Sequence, residues 1–184
     1  MTPTLGRARL CLLVTVAALA LAACTSPQQR MDRDQILVQR SAYTINQFKQ
    51  ADPSISRFFD RSVGYVVFPD VTKGGVGVGA AHGKGVVYER GQVVGFADLI
   101  QGTIGLQLGG QMYSQIVFLQ TPFEMQRLKG NAFEFAAGAT AVMSARGAAT
   151  QVNYSDGVAV FVADPEGVMV EAALGGQRFT FRPR

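Results

Sequence analysis

The chain has 184 residues, 48% of them hydrophobic and 16% charged, with no tryptophan and a formal net charge of +4. That balance is too apolar for a disordered chain, and the length suits about one domain of ordinary size. Its 21 glycines come with only 7 prolines and follow no three-residue period, which excludes collagen.

The first predicted element is a leader. Arg7 and Arg9 precede an apolar run from Leu10 to Ala23, which ends Leu21-Ala22-Ala23-Cys24. A basic start, a short apolar stretch and small residues before a cut mark a secretory signal. The run falls short of the ~20 residues that a helix needs to span a bilayer. Leu-Ala-Ala-Cys also resembles the bacterial lipobox, whose cysteine is acylated and becomes the new N-terminus. The resemblance implies a signal peptide over residues 1–23 and a lipid anchor on Cys24 that holds the protein to a membrane. Thr25, rather than an aspartate, follows the cysteine, and by resemblance to known lipoprotein sorting that predicts the outer membrane.

Removing Arg7 and Arg9 lowers the basic residues from 17 to 15 against 13 acids, so the net charge falls to +2. That is no nucleic-acid signature. Cys11 leaves with the signal and Cys24 is taken by lipid. No thiol is then left for a disulfide, a metal site or a nucleophile.

Residues 24–30 read as a lipidated polar tether, and residues 31–184 as one domain. Met31–Gln50 contains no Gly or Pro and predicts a helix. Met31, Val38, Ala42 and Ile45 fall on its expected packed side, with Arg33 and Arg40 nearly opposite. Asp52-Pro53 reads as an N-cap and first-turn proline, opening a short helix that carries Ile55, Phe58 and Phe59.

Gly64 changes the regime: no glycine lies between Cys24 and Val63, and twenty lie between Gly64 and Gly176. Short β-type runs follow at Tyr65–Phe68, Gly75–Ala81, Gly85–Glu89, Gln92–Ile100, Thr103–Gln111 and Tyr113–Leu119, with tight turns expected at Arg90-Gly91 and Gln101-Gly102. Thr121-Pro122-Phe123-Glu124 combines an N-cap, a first-turn proline and the acid of a capping box, and predicts a helix ending near Lys129-Gly130. Further strands are expected at Ala132–Ser144, Gly157–Ala163, Val168–Leu174 and Arg178–Phe181, with a turn at Asp164-Pro165-Glu166-Gly167. The pattern predicts a mainly β fold with α: an antiparallel β-barrel-like core with about three helices packed on its surface.

Gly75 to Ala80 spells G-x-G-x-x-A, a dinucleotide-binding pattern that needs a following helix. His82-Gly83-Lys84-Gly85 cannot start one, and no βαβ spacing appears. In a strand Gly75, Gly77 and Gly79 share one face, so these glycines, with Gly83 and Gly85, read as structural. His82 is the only histidine, and no Cys or acidic pair stands at metal-ligand spacing. The acids are scattered, no nucleophile elbow is present, and neither an enzyme nor a cofactor is expected.

Tyr65-Val66-Val67-Phe68-Pro69, then Lys73-x-Gly75-x4-Ala80-x2-Gly83-x-Gly85-Val86-Val87, resembles the signature of the SYLF domain family. The likeness continues through Gly105–Gly109, Ile116–Leu119, Gly167–Met169 and Leu174–Gly176. It implies a β-barrel core, no catalysis, and binding of phosphoinositide-type or other anionic lipids. Lys73 matches a frequent family lysine, whereas Ala81 stands where members usually carry arginine, so the binding implied is weak. Lys73 and Lys84 flank the glycine strand and are expected near one another at a sheet end. With Arg33 and Arg40 they are the candidate head-group contacts. The family is also described as actin-binding, but an exported lipoprotein rarely meets actin, so no actin partner is expected. The alternative function is a structural envelope-integrity protein that contacts other envelope components and uses lipid only as an address.

Overall fold

The structure is a computed structural model and describes residues 27–105, 110–135, 140–142, 147–163 and 176–184. Cys24 and the leader lie outside the described residues, as do the Asp164–Gly167 turn and the Val168–Leu174 run. Contacts divide the chain into two compact units, residues 1–35 and 36–184. The described part of the first is the opening stretch of helix α1, Pro27–Ala51. Helix therefore replaces the expected tether from Pro27 onward. Among the described residues, no helix is long and apolar enough to cross a membrane.

In the second unit, the rest of α1 is followed by a 3-10 turn, Pro53–Ile55, and by α2, Ser56–Arg61. Asp52 caps this segment, its carboxylate accepting from the Ser54 amide and hydroxyl at 3.0 and 2.7 Å. Three strands follow, β1 Gly64–Glu89, β2 Gln92–Gly105 and β3 Gly110–Leu119, then helix α3, Pro122–Lys129. Short strands β4, Glu134–Phe135, and β5, Thr140–Val142, precede a 3-10 turn at Ala148–Gln151. Strands β6, Val158–Ala163, and β7, Gln177–Pro183, complete the fold.

All seven strands form one sheet in the order β4-β7-β2-β1-β3-β6-β5, antiparallel throughout except for the parallel β5–β6 pair. The mainly β architecture with helices is the expected one. The barrel is not closed, since no pairing joins the β4 and β5 edges among the described residues. It is nevertheless strongly curled. Flat, seven strands would set the outer two about 29 Å apart, yet five Cα steps from Phe135 to Thr140 reach at most about 18 Å.

Strand β1 makes the curl. It absorbs three of the predicted runs, pairing through its first half with β3 and through its second half with β2. The two halves then approach each other across the concave side. A Cβ on Gly85 would sit 2.7 Å from the Phe68 ring and 2.9 Å from the Val67 carbonyl oxygen, and one on Gly83 would sit 2.9 Å from the Val71 side chain. Only glycine allows that approach.

Along residues 65–68, 116–119 and 158–162 both faces of the sheet are buried, so these stretches read as unbroken apolar runs, whereas β7 alternates between buried and exposed positions. The concave face gathers Val66, Phe68, Val87, Leu99, Val117, Leu119, Val160 and Phe179, with Met125 and Leu128 of α3 joining them. The convex face carries Tyr65, Val67, Val86, Tyr88, Ile116, Phe118 and Phe161 beneath Phe48, Ile55 and Phe58 of the helical segment.

Two local expectations need correcting. The buried residues of α1 are Ser41, Thr44 and Phe48; Val38 and Ile45 pack against the convex cluster as expected, whereas Ala42 is exposed and so is Met31, in the first unit. Phe48 carries the larger apolar area, and the Ser41 hydroxyl is satisfied at 2.5 Å by the Tyr88 hydroxyl. Gln101-Gly102 is not a turn but lies within β2 opposite Ala81 and Ala80. Its buried amide accepts a 3.0 Å hydrogen bond from Gln177. The Arg90-Gly91 turn does form, with φ of 51° and 78°, the left-handed pair that a two-residue hairpin needs.

Candidate functional site

The ladder between β1 and β3 slips between Phe68 and Val71, leaving Pro69 and Asp70 as a bulge. Proline lacks the N–H that a regular ladder position would use, so a bulge suits it. The Ser114 hydroxyl holds the kink by donating to the Pro69 carbonyl at 2.7 Å. Such a bulge re-aims its side chains, and here Asp70 forms an ion pair with Arg40 of α1. Sequence reasoning passed over Asp70 as one scattered acid; a proline followed by an acid inside an apolar strand was the available signal.

Around this pair, α1, the bulge, β3 and Ala163 of β6 enclose an open groove of about 610 Å³. That volume falls in the range of small-molecule sites. Arg40 and Asp70 stand at its polar side, with Gln39 and Gln47 along α1. Its apolar side includes Phe48, Ala51, Tyr43 and Met112. Tyr43 and Met112 remain 65% and 54% exposed, so two large apolar groups are presented to whatever enters. The groove thus sets an apolar trough beside an ion pair.

Of the four candidate head-group contacts, the three in the second unit do not form one basic patch. Arg40 is in the groove and is neutralised by Asp70. Arg33 is exposed on the opening stretch of α1, within the first unit. Lys73 and Lys84 both lie on β1, eleven residues apart, and an odd separation in a strand puts them on opposite faces. Lys84 is exposed, in register with Asp98, whose carboxylate stands 4.0 Å from His82 Nε2. Lys73 is 6% exposed and shares the concave face with Val71 and Ala81. The expected pairing of the two lysines at a sheet end is therefore corrected. Gly75, Gly77 and Gly79 lie in β1 as expected, and Gly83 and Gly85 are the glycines seen to permit its close crossing.

The concave face also holds a buried amide chain. Gln115 Nε2 donates to Gln177 Oε1 at 2.8 Å, and Gln177 Nε2 donates to Gln101 Oε1 at 3.0 Å and to Gln115 Oε1 at 3.2 Å. Nearby on β3, burial pushes the Tyr113 hydroxyl up to about 12. The two buried carboxylates among the described residues serve structure. Glu124 closes the capping box of α3. Burial pushes the Asp52 carboxyl up, but hydrogen bonds from the Ser54 hydroxyl and from the Ala149, Ser54 and Gly147 amides outweigh it and hold it below the usual carboxylate range. No cluster of three His, Cys, Asp or Glu suited to a metal occurs among the described residues.

No protein-family model matches the chain, and no curated protein matches it. The SYLF likeness rests on the residues that carry it.

Proposed function

We propose that this is a lipid-anchored envelope protein, held to the outer membrane through acylated Cys24, whose SYLF-like domain binds anionic lipid weakly and without catalysis. The observation that carries the reading is the α1–β3 groove, in which an arginine stands beside exposed Tyr43 and Met112. Its weakness has a physical source. An anionic head group must compete with Asp70 for Arg40, and an exposed ion pair of this kind contributes at most about 1 kcal/mol.

The test is titration of the Cys24→Ser protein with vesicles of zwitterionic lipid containing or lacking an anionic lipid. Binding should require the anionic lipid, weaken with salt, and fall several-fold in Arg40→Ala or in Tyr43→Ser with Met112→Ser. Asp70→Asn, which releases Arg40, should strengthen it. Binding indifferent to all three groove variants would overturn the reading. The neutralisation of Arg40 by Asp70 favours a second one, a structural envelope protein that contacts other envelope components. Under that reading an Arg40→Ala strain would keep envelope integrity while deletion would not.

A further inference from the structure

The α1–β3 groove carries one charge of each sign. Among the described residues that line it, Arg40 is the only cation and Asp70 the only carboxylate, so the lining is neutral as a whole. The pair joins one guanidinium nitrogen, Arg40 Nη2, to one carboxylate oxygen, Asp70 Oδ2. Both side chains stay open to solvent, 55% and 31% exposed. A guanidinium has further N–H donors and a carboxylate a second oxygen, so each can take a ligand group without releasing the other.

Asp70 does not depend on Arg40 for its place. The bulge presents it, and the Ser114 hydroxyl fixes that bulge through the Pro69 carbonyl. Arg40 precedes Ser41, whose hydroxyl is tied to that of Tyr88 on the sheet. Both charges are therefore positioned by the fold before a ligand arrives, which lowers the ordering cost of binding.

Two opposite charges fixed side by side discriminate between ligands. A bare oxyanion is drawn to Arg40 and repelled by the Asp70 beside it. A head group that also carries an ammonium sets its two charges against the pair in antiparallel order, and the repulsion becomes attraction. A primary ammonium also donates N–H to the carboxylate, which the quaternary ammonium of choline cannot.

We propose that the groove selects, among anionic lipids, those whose head group also carries a primary ammonium, with Arg40 taking the oxyanion and Asp70 the ammonium. The inference rests on the lipid-binding reading of the groove. It turns Asp70 from a group that only weakens binding into one that chooses the ligand.

The Cys24→Ser protein is titrated with phosphatidylcholine vesicles containing equal fractions of phosphatidylserine or of phosphatidylglycerol. The two head groups have the same net charge, and only that of phosphatidylserine has an ammonium. Phosphatidylserine should bind about two- to fivefold more tightly, the worth of an exposed ion pair. In Asp70→Asn the preference should vanish, since phosphatidylglycerol binding rises while the ammonium loses its partner. A preference that came from the serine carboxylate would instead widen in that variant. A control on the ligand side needs no variant and holds even if Asp70→Asn fails to fold. N-acetylated phosphatidylserine, more negative but without the ammonium, should bind no more tightly than phosphatidylglycerol. Equal binding of the first two lipids, an advantage kept after acetylation, or a preference unchanged or widened in Asp70→Asn would overturn the proposal and leave lipid binding at the groove standing. Failure of every vesicle to bind would remove that reading and the selectivity with it.

Discussion

Position 85 has no room for one more carbon. Its Cβ would meet the Phe68 ring and the Val67 carbonyl, and Phe68 is fully buried with no space to retreat. Gly85→Ala should therefore destabilise the fold by about 1–3 kcal/mol, the usual cost of overpacking. Gly74 is the matched control: a Cβ there meets nothing within 4 Å. Gly74→Ala should be neutral or slightly stabilising because it restricts the unfolded chain. Denaturant unfolding of the two variants side by side checks both signs.

Among the elements, α3 was the most legible. Thr121 accepts from the Phe123 amide at 3.2 Å, Glu124 accepts from the Thr121 amide at 3.1 Å, and the helix stops at Gly130. All of these signals lie within ten residues of one another. Thr121→Ala should cost about 1 kcal/mol, read as a shift in the denaturation midpoint. Strand β1 was far less legible, because what makes it one strand is pairing with β3 and β2, and no local residue pattern announces such partners. The Gln101-Gly102 misreading has the same origin: a turn-like dipeptide became strand because Gln177, seventy-six residues away, hydrogen-bonds to it. The groove was half legible. Arg40 was identified, but its partner Asp70 is presented by a register slip, which only the paired strands define. The separation of Lys73 from Lys84, by contrast, was available from strand alternation alone.

The whole molecule carries its tyrosines as a pH-dependent load. Burial pushes Tyr65, Tyr113 and Tyr154 up to about 12; the stacked Tyr88 adds to the shift at Tyr65, and Arg57 and Arg61 partly offset it at Tyr154. Burial also raises Tyr88, against the hydrogen bond it shares with Ser41. An unfolded tyrosine ionises near 10, so between about pH 10 and 12 the folded state holds protons that the unfolded state has released. The stability these groups confer is complete below pH 10 and lost as pH climbs towards 12. Urea midpoints should be flat from pH 7 to 9 and fall steeply above 10, with phenolate absorbance rising together with unfolding. Separate titration of Tyr65, Tyr113 and Tyr154 near pH 10 in a still-folded protein would contradict their burial.

The sheet order leaves β4 and β5 as its outermost strands, and among the described residues no strand pairs with the outer side of either. Each margin is a template on which another polypeptide can add a strand.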